Sequence, residues 1–422
     1  MTLASLLTSP LQPSYIPRGM GRSYGDAALN QDSGVILQSR LNRFVSFDAE
    51  EGVLSCEAGV SFAEILQYFL PRGFFLPVTP GTKFITVGGA IASDVHGKNH
   101  HRDGTFSNFV LDFKLLLPNG QTLSCSPTLH REVFWATVGG MGLTGIVLSA
   151  RIRLQRVETA YMLVDYQKAR NIQEALDLFA QSDEDYQYSV AWIDSLASGK
   201  SLGRALVMRG NHATAEQLPS RLKNDQAIST ANRWSVPCAF PGWILNRWSI
   251  KLFNEAYYVF HKSIKNQLVG INEFFYPLDA IRNWNLMYGS SGFVQYQIVQ
   301  PLEAGVDALL NVLERLAESQ CGSFLGVLKR FGRANPGLLS FPMEGYTLAL
   351  DIPVRRGLSA LLTELDRIVL GSGGRVYLAK DALLTPELFA AMYPGLEEFR
   401  AIKKKLDPVG QLSSSMARRL GI

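Results

Sequence analysis

Two glycine-rich stretches constrain this chain more than any other feature of its sequence. They are residues 17–30 (PRGMGRSYGDAALN) and residues 80–101 (PGTKFITVGGAIASDVHGKNHH). Glycine loses much backbone entropy on folding, so glycine clusters at strand ends mark tight turns or places where the main chain lies against a ligand. Successive amides in such loops form anion-binding nests. The two stretches together predict one extended, phosphate-bearing ligand, and a diphosphate is the obvious candidate.

The common phosphate and hydrolase motifs are absent from the sequence. The first stretch has no GxxxxGK[ST], and no strand, GxGxxG and helix unit with a later acidic residue can be built from it. In the second stretch, the residues after Thr86 precede a small-residue helix start at residues 90–94, which would direct further amides at phosphate. The chain has no GxSxG elbow and no Cys linked to a His. Redox chemistry through a bound cofactor is therefore the leading class.

Length and composition set the broad class of the protein. A chain of 422 residues with 47% apolar and 18% charged residues predicts two globular domains. Its net charge of +4 is too small to indicate nucleic-acid binding. Four cysteines without a CxxC pair predict reduced thiols, and the start of the sequence lacks a signal-peptide pattern. We therefore expect a cytoplasmic protein and leave peripheral contact with the inner membrane open.

The first part of the chain, up to about residue 159, has the pattern of short strands, glycine-rich loops and two helices. A capping box of Ser61 and Glu64 starts the first helix, and Gly73 ends it. Asn119 and Gly120 favour a two-residue hairpin turn. The predicted strands are residues 14–17, 44–48, 53–58, 110–117, 121–124 and 146–154, and the second helix is residues 132–138.

An approximate internal repeat occupies the later part of the chain. The order strand, helix, strand occurs twice, at residues 292–300, 303–318 and 323–328, and again at residues 346–352, 358–370 and 375–378. Two such units side by side predict one antiparallel sheet with helices on one face. We place the second domain here.

Residues 233–251 (RWSVPCAFPGWILNRWSIK) contain three of the six tryptophans, interleaved with basic residues. Trp favours positions where one end is wet and the other apolar, so this segment is a candidate for contact with a lipid or membrane surface. A loop packed on its own core is the commoner explanation of an aromatic cluster. The sequence leaves both interpretations open.

Histidine and lysine residues near the glycine stretches are candidates for the site. The spacing of His96, His100 and His101 is similar to that of zinc helices, but no HExxH is present and Gly97 interrupts the helix, so a metal site is not favoured. We place His96 beside a flat ligand ring with Lys98 near an anionic group, and interpret the other two histidines as a solvated or hydrogen-bonded loop pair. Lys380 in YLAKD follows a strand and would be partly desolvated.

Several motifs resemble the decaprenylphosphoryl-beta-D-ribose 2'-oxidase family of the vanillyl-alcohol oxidase class: PRGMGRSYGD, PGTKFITVGGAIASDVHGKNHH, FWATVGGMGLTGI, YLAKD and MARRL. The resemblance covers nearly the whole chain and implies an α+β fold. In that fold a two-part FAD-binding domain, here residues 1–159 and 375–422, surrounds an inserted substrate (cap) domain, residues 160–374, built on an antiparallel sheet with helices. Relatives carry a strand and most of a helix before the first glycine loop. This chain starts at what we interpret as the last turns of that helix, residues 3–7, which leaves two alternatives open: an incomplete adenine side of the FAD site, or a recorded start that is too late.

The same resemblance implies the residues of the site. The residues implied to bind FAD are Pro17, Arg18, Gly19, Met20, Gly21, Arg22, Ser23, Tyr24, Gly25, Asp26, Ala27, Thr86, Val87, Gly88 and Gly89 at the diphosphate, Gly81, Ser93, Asp94, Val95 and His96 along the ribityl and flavin, and Val147 and Tyr377. The residues implied to line a sugar-phosphate site are Trp192, Tyr276, Gln297 and Lys329, with Lys98 nearby. The implied catalytic residues are His96 and Lys380, and Lys380 would stabilise the reduced flavin or the substrate.

The implied reaction oxidises a sugar 2'-hydroxyl on a polyprenyl-phosphate carrier to a ketone, with hydride passing to flavin N5. A separate short-chain reductase then reduces the ketone, giving the arabinose form used in the cell envelope. Arg22 and Ser23 stand where covalently flavinylated relatives have a histidine, so FAD is expected to be non-covalent. Thr347 and Ala349 replace the Asn and Cys of a pocket motif in mycobacterial relatives. Two alternatives stay open: a D-arabinono-1,4-lactone type of aldonolactone oxidase and a non-catalytic nucleotide- or sugar-binding subunit.

Overall fold

The computed structural model describes residues 3–182, 184–222, 234–241, 244, 246–319, 321–323 and 325–422. Its strands are β1 (Tyr15–Arg18), β2 (Gly34–Leu37), β3 (Phe44–Asp48), β4 (Val53–Glu57), β5 (Phe74–Phe75), β6 (Val110–Leu116), β7 (Thr122–Cys125), β8 (Ile146–Arg153), β9 (Gln155–Arg156), β10 (Tyr161–Ala169), β11 (Tyr188–Ile193), β12 (Ala205–His212), β13 (Trp234–Ser235), β14 (Ile264–Gly270), β15 (Ile281–Arg282), β16 (Phe293–Pro301), β17 (Gly326–Phe331), β18 (Gly345–Pro353) and β19 (Arg375–Val376). Its α-helices are α1 (Leu3–Thr8), α2 (Phe62–Phe69), α3 (Val87–Ala92), α4 (His100–Asp103), α5 (Arg131–Thr137), α6 (Ile172–Ser182), α7 (Arg247–Phe260), α8 (Ile271–Phe275), α9 (Gly305–Ser319), α10 (Leu358–Gly371), α11 (Pro386–Met392), α12 (Leu396–Leu406) and α13 (Ser415–Leu420).

A five-stranded antiparallel sheet with the order β3-β4-β8-β6-β7 forms the centre of the first part of the chain. The predicted start of α2 is confirmed: Ser61 Oγ accepts the amide of Glu64 at 3.2 Å, and the Glu64 carboxylate accepts the amide of Ser61 at 2.8 Å. Gly73 has a φ of 79° after the following 3-10 turn, which is the left-handed conformation that stops a helix. The capping hydrogen bonds therefore set where α2 begins.

The turn between β6 and β7 differs from the prediction. A two-residue type I′ turn needs positive φ at both central residues, but only Gly120 has it, at 82°. The amide of Leu117 instead donates to the carbonyl of Gln121 at 2.8 Å, which leaves a three-residue loop. The reason is Pro118, which has no N–H with which to close the shorter hairpin.

The internal repeat forms half of an eight-stranded sheet with the order β14-β10-β12-β11-β17-β18-β16-β19, so the predicted antiparallel arrangement is confirmed. Alternate residues of β16 and β18, such as Ile298 and Leu348, join the hydrophobic core that includes α6, α9 and α10. The opposite face carries polar side chains. The last predicted strand is shorter than expected and ends at Val376.

The two ends of the chain meet. The amide of Tyr15 in β1 donates to the carbonyl of Gln411 at 2.7 Å, and the amide of Ser413 donates back to Tyr15 at 3.0 Å. β1 also pairs in parallel with β2. The predicted domain boundaries stay predictions, and β19 extends the large sheet two residues past the boundary set at residue 374. Across the described residues, no helix is long and apolar enough to cross a bilayer.

Candidate functional site

The first glycine loop presents a row of open amides. Within the described part of the chain, the backbone N–H groups of Gly19, Met20, Gly21, Arg22 and Ser23 have no protein acceptor. Gly21 has a φ of 63°, the left-handed conformation that turns successive amides toward one side. This cradle fits the diphosphate of FAD, because an anion with several oxygens satisfies amides that the protein leaves open.

The same loop lies between the second glycine stretch and the C-terminal YLAKD. A Cβ on Gly19 would lie 2.2 Å from Thr86 Oγ1, and a Cβ on Gly25 would lie 1.6 Å from the carbonyl oxygen of Asp381. Gly25 is therefore required by the close approach of two backbones, and Gly19 by the close approach of the Thr86 side chain. The amide of Tyr24 donates to the carbonyl of Ala379 at 3.0 Å, which fixes the loop on the C-terminal segment.

The remaining predicted residues of the first loop support it rather than face the cradle. Pro17 and Arg18 belong to β1, and the Arg18 guanidinium donates to the carbonyl of Ala28 at 3.4 Å. Asp26 forms an ion pair with Arg419 at 2.7 Å, and Ala27 is buried in the core. These contacts join the loop to the last helix of the chain.

The helix of the second stretch, α3, starts at Val87 rather than at residue 90, because the Thr86 side chain caps it. The amide of Val87 donates to Val60 at 2.9 Å, that of Gly88 to Ala58 at 2.8 Å, and that of Gly89 to Thr86 Oγ1 at 3.1 Å. These three amides therefore have protein acceptors, and a place for this stretch at the diphosphate stays a prediction. The carbonyls of Val60 and Ala58 accept two of the amides, and the spacing of residues in the sequence could not show these contacts.

Asp94 and its neighbours also have structural partners. Asp94 is buried at a φ of 41°, and its carboxylate accepts Ser107 Oγ at 2.7 Å, Asn335 Nδ2 at 2.6 Å and Ser340 Oγ. Burial raises its pKa, and these donors oppose the rise. The Asp94 carboxylate thus joins the second stretch to the loop at residues 335–340. It is saturated by protein donors, so we do not assign it a polar contact with a ligand.

The other predicted flavin-side positions are placed as follows. Gly81 is exposed, and a Cβ added to it would meet no atom within 4 Å. The carbonyl of Ser93 accepts the Tyr377 hydroxyl at 2.7 Å. Val95 and Val147 are buried in the hydrophobic core around the five-stranded sheet. Tyr377 therefore borders the site, the two valines pack in the core, and the place of Gly81 along the flavin stays a prediction.

His96 lies in an aromatic pocket at the centre of the site. Its ring centroid is 4.8 Å from that of Phe331, 5.6 Å from that of Phe341 and 5.2 Å from that of Tyr377. Gln297 Nε2 donates to His96 Nε2 at 2.9 Å, which puts the ring proton on Nδ1. That Nδ1 is buried and has no hydrogen-bond partner among the described residues. Burial, with a smaller contribution from Lys329, holds the pKa of His96 well below its usual range, so the ring is neutral.

His100 and His101 begin the short helix α4 and are hydrogen-bonded rather than open to solvent. His100 Nδ1 accepts the amide of Gly332 at 3.1 Å, and His101 Nε2 lies 3.1 Å from the carbonyl oxygen of Tyr186. Across the described residues, no group of three or more His, Cys, Asp and Glu side chains could hold a metal ion.

Strand register brings three of the predicted substrate residues, Trp192, Gln297 and Lys329, onto one face of the large sheet. Gln297 pairs with Ala349, Ala349 with Val327, and Val327 with Trp192, so these four side chains form a row. Two residues further along the strands in one direction, Lys329 of β17 pairs with Thr347 of β18. Two residues along in the opposite direction, Gln295 of β16 pairs with Asp351 of β18. Because residues two apart in a strand share a face, the rows are neighbours. We call this surface the polar sheet face.

Lys380 and Asp351 interact electrostatically at one edge of the polar sheet face. Lys380 Nζ lies 4.0 Å above the ring of Tyr24. The Asp351 carboxylate accepts Gln295 Nε2 at 2.5 Å and the Tyr288 hydroxyl at 3.4 Å. Burial lowers the pKa of Lys380 and raises that of Asp351, and the attraction between the two charges opposes both shifts. Asp351 was not predicted, although an aspartate at an inward position of an apolar strand was a signal for it.

Two further lysines approach the same region. Burial lowers the pKa of Lys329 to about 8, and burial together with Lys329 lowers the pKa of Lys98 to about 7. Lys98 donates to the carbonyl of Phe274 and lies 4.1 Å above its ring. All three lysines keep some exposure, so they line a space that solvent or a ligand enters.

Two predicted substrate residues lie at the margin of the site. The hydroxyl of Tyr276 is buried 2.7 Å from Thr79 Oγ1, beside the second glycine stretch. Trp192 is at the end of its row and its ring lies 4.6 Å from that of Tyr257 in α7. These contacts hold both side chains in place.

Known proteins are similar to this chain in sequence and in fold. A family model described as FAD binding domain matches residues 12–126, and one described as D-arabinono-1,4-lactone oxidase matches residues 287–420. Decaprenylphosphoryl-beta-D-ribose oxidase of Mycolicibacterium smegmatis is 42% identical over 96% of this chain and 88% of its own length. L-Gulonolactone oxidase of Bos taurus is 26% identical over 95% of this chain and 88% of its own.

A solved structure agrees with the fold. The xylooligosaccharide oxidase from Myceliophthora thermophila C1, in complex with xylobiose, superposes with a TM-score of 0.67. It covers 94% of this chain and 85% of its own at 16% sequence identity. This supports the expected α+β architecture of the vanillyl-alcohol oxidase type.

Proposed function

Because the chain belongs to the decaprenylphosphoryl-beta-D-ribose oxidase family and is an FAD-dependent oxidoreductase, we propose that it oxidises a ribose linked to a polyprenyl phosphate. The 2'-hydroxyl loses its proton and its carbon loses a hydride, so that the C–O single bond becomes a ketone. Bound FAD supplies the hydride acceptor, its N5. The observation that carries the proposal is the set of three lysines around one polar sheet face.

Cations in this position suit an anionic substrate better than a neutral one. The pKa of Lys98 is lowered by burial and, to a smaller extent, by the positive charge of Lys329. Two such ammonium groups repel each other, so a phosphate between them would relieve that repulsion and favour their charged forms. We assign the phosphate of the substrate to this pair.

Three other groups would position the sugar. Gln297 donates to His96 and to Thr347 Oγ1, at 2.9 and 3.2 Å, which fixes its amide at the centre of the polar sheet face. The neutral His96 keeps its Nδ1 proton for a ligand acceptor. We assign Lys380 to the stabilisation of negative charge that develops on the substrate or the cofactor, with Asp351 favouring its charged form against the effect of burial.

The first glycine loop would bind the FAD diphosphate without a covalent bond. Its open amides at Gly19 to Ser23 suit the phosphate oxygens. Neither Arg22 nor Ser23 offers the imidazole to which flavins attach in the covalent relatives. Acid precipitation of the yellow holoenzyme should therefore release all of its flavin into the supernatant.

Anaerobic reduction of the bound flavin tests the substrate. Polyprenylphosphoryl ribose should bleach the flavin absorbance at micromolar concentration, whereas D-arabinono-1,4-lactone and L-gulono-1,4-lactone should not. Bleaching by the lactones alone would replace the proposal with the second candidate below. A short-chain reductase acting on the keto product would complete the conversion to the arabinose form, which a coupled assay with both enzymes would detect.

A lactone oxidase is the second candidate, and a specific observation favours it. The family model described as D-arabinono-1,4-lactone oxidase matches residues 287–420, which include β16, β18 and Lys380. A neutral lactone has no anionic group with which the ammonium groups of Lys329 and Lys98 could pair. We therefore rank it below the phosphate-linked sugar.

A further inference from the structure

One face of α7 exposes large apolar side chains. Trp248 is 65% exposed, Leu252 72% and Phe260 81%, with Val259 also exposed. Trp248, Leu252 and Val259 are four and seven residues apart, so they form one stripe along the helix, with Phe260 beside it at the last turn. We call these four residues the α7 face. Side chains of this size on one helix face mark a binding surface.

The opposite side of α7 is anchored to the large sheet. Asn254 is buried and its Nδ2 donates to Asp194 Oδ1 at 2.7 Å. The ring of Tyr257 lies 4.6 Å from that of Trp192. Rotating the helix to bury its apolar stripe would break both contacts. The α7 face is therefore a fixed outer surface of the protein.

Positive charges lie on α7 and directly after its end. Arg247 lies over the ring of Trp248 at 4.2 Å, Lys251 is on the same helix, and Lys262 and Lys265 follow its end. Glu255, the single acid in the sequence of α7, is paired with Arg204 at 2.7 Å. The surface thus combines apolar side chains with an excess of cations.

We infer that the α7 face docks on an anionic phospholipid bilayer, with its apolar side chains in the interface and its cations on the headgroups. Charge complementarity selects this occupant, because a second copy of the chain would bring like charges together. The position of α7 next to the substrate site also agrees with the proposed function, on which this part of the inference rests. Trp192 contacts α7 and belongs to the same row of paired residues on the polar sheet face as Gln297. A lipid-linked sugar would then enter the site from the bilayer to which the enzyme is bound.

Vesicle co-sedimentation of the FAD-loaded protein tests this surface. The wild type should sediment with vesicles of phosphatidylcholine and phosphatidylglycerol. A Trp248→Ser, Leu252→Ser and Phe260→Ser variant should lose at least about tenfold in partition coefficient. Lys251→Gln with Lys262→Gln should lose about tenfold only when phosphatidylglycerol is present. A Leu11→Ser and Val409→Ser variant removes similarly exposed apolar side chains elsewhere and should bind like the wild type.

Flavin absorbance and turnover of a short-chain ribosyl phosphate, neither of which needs a membrane, should be unchanged in all three variants. Vesicle binding without substrate is measured separately from turnover, so failure of the proposed reaction would leave this result intact. Equal vesicle binding by the wild type and the triple variant would overturn the inference. A second outcome would also overturn it. If the wild type is a dimer in sedimentation velocity, the triple variant is a monomer and vesicles bind neither, then the α7 face joins two copies of the chain.

Discussion

Replacing Gly25 with alanine should separate the first glycine loop from the C-terminal segment. The added Cβ would lie 1.6 Å from the carbonyl oxygen of Asp381 and 2.7 Å from its carbonyl carbon. Ordinary contact begins at 3.4 Å, so the two backbones must move apart by about 2 Å. Asp381 cannot yield easily, because its carboxylate accepts the amides of Leu383 and Leu384 at 2.9 and 2.8 Å.

The cost follows from the contacts that this displacement breaks. Overpacking a close contact costs about 1–3 kcal/mol. The buried hydrogen bond from Tyr24 to Ala379 contributes about 1 kcal/mol more when it is lost. We therefore expect Gly25→Ala to lower the free energy of unfolding by about 2–4 kcal/mol. It should also purify with much less than one FAD per chain, because the open amides lie in the displaced loop.

Urea unfolding followed by intrinsic fluorescence, with flavin content from absorbance, measures both effects. Gly81→Ala is the matched control: Gly81 is exposed, and its Cβ would meet no atom within 4 Å, so the apoprotein should unfold like the wild type. Wild-type stability together with full FAD content in Gly25→Ala would refute the close packing of the two chain ends.

Three other changes test the site. Lys380→Ala should retain FAD but lose most turnover in a stopped-flow reduction assay, and wild-type reduction would remove Lys380 from the catalytic residues. The pKa of Lys329 is lowered to about 8 by burial, so its ammonium is present below that pH and lost above it. KM for the phosphate-linked sugar should therefore rise about tenfold or more as pH passes through 8, and Lys329→Met should abolish that step. Arg419 bridges Asp26 and Asp381 at 2.7 and 2.8 Å, so Arg419→Met should cost about 2–3 kcal/mol in urea unfolding, whereas Arg43→Met, at an exposed pair with Glu57, should cost nothing measurable.

Local sequence chemistry predicted most of the elements. The capping box at Ser61 placed α2, and the repeated strand, helix and strand order placed the antiparallel half of the large sheet. Two predicted boundaries differ from the structure, and in each case an adjacent residue explains the difference. Pro118 lengthened the hairpin loop, and the Thr86 side chain moved the start of α3 to Val87.

The site divides differently between sequence and tertiary structure. The sequence alone indicated the first glycine loop, because the positive φ that Gly21 adopts is a property of a few consecutive residues. Its amides stay open only because no neighbouring acceptor reaches them, which the tertiary structure decided. The sequence also determined, through whole-chain similarity, that the protein is an FAD-dependent oxidoreductase. Only the tertiary structure decided that Asp351 lies near Lys380 and that Gln297 donates to His96. These contacts depend on the register between strands that are distant in the sequence, and hydrogen bonding between strands fixes that register only when the sheet forms.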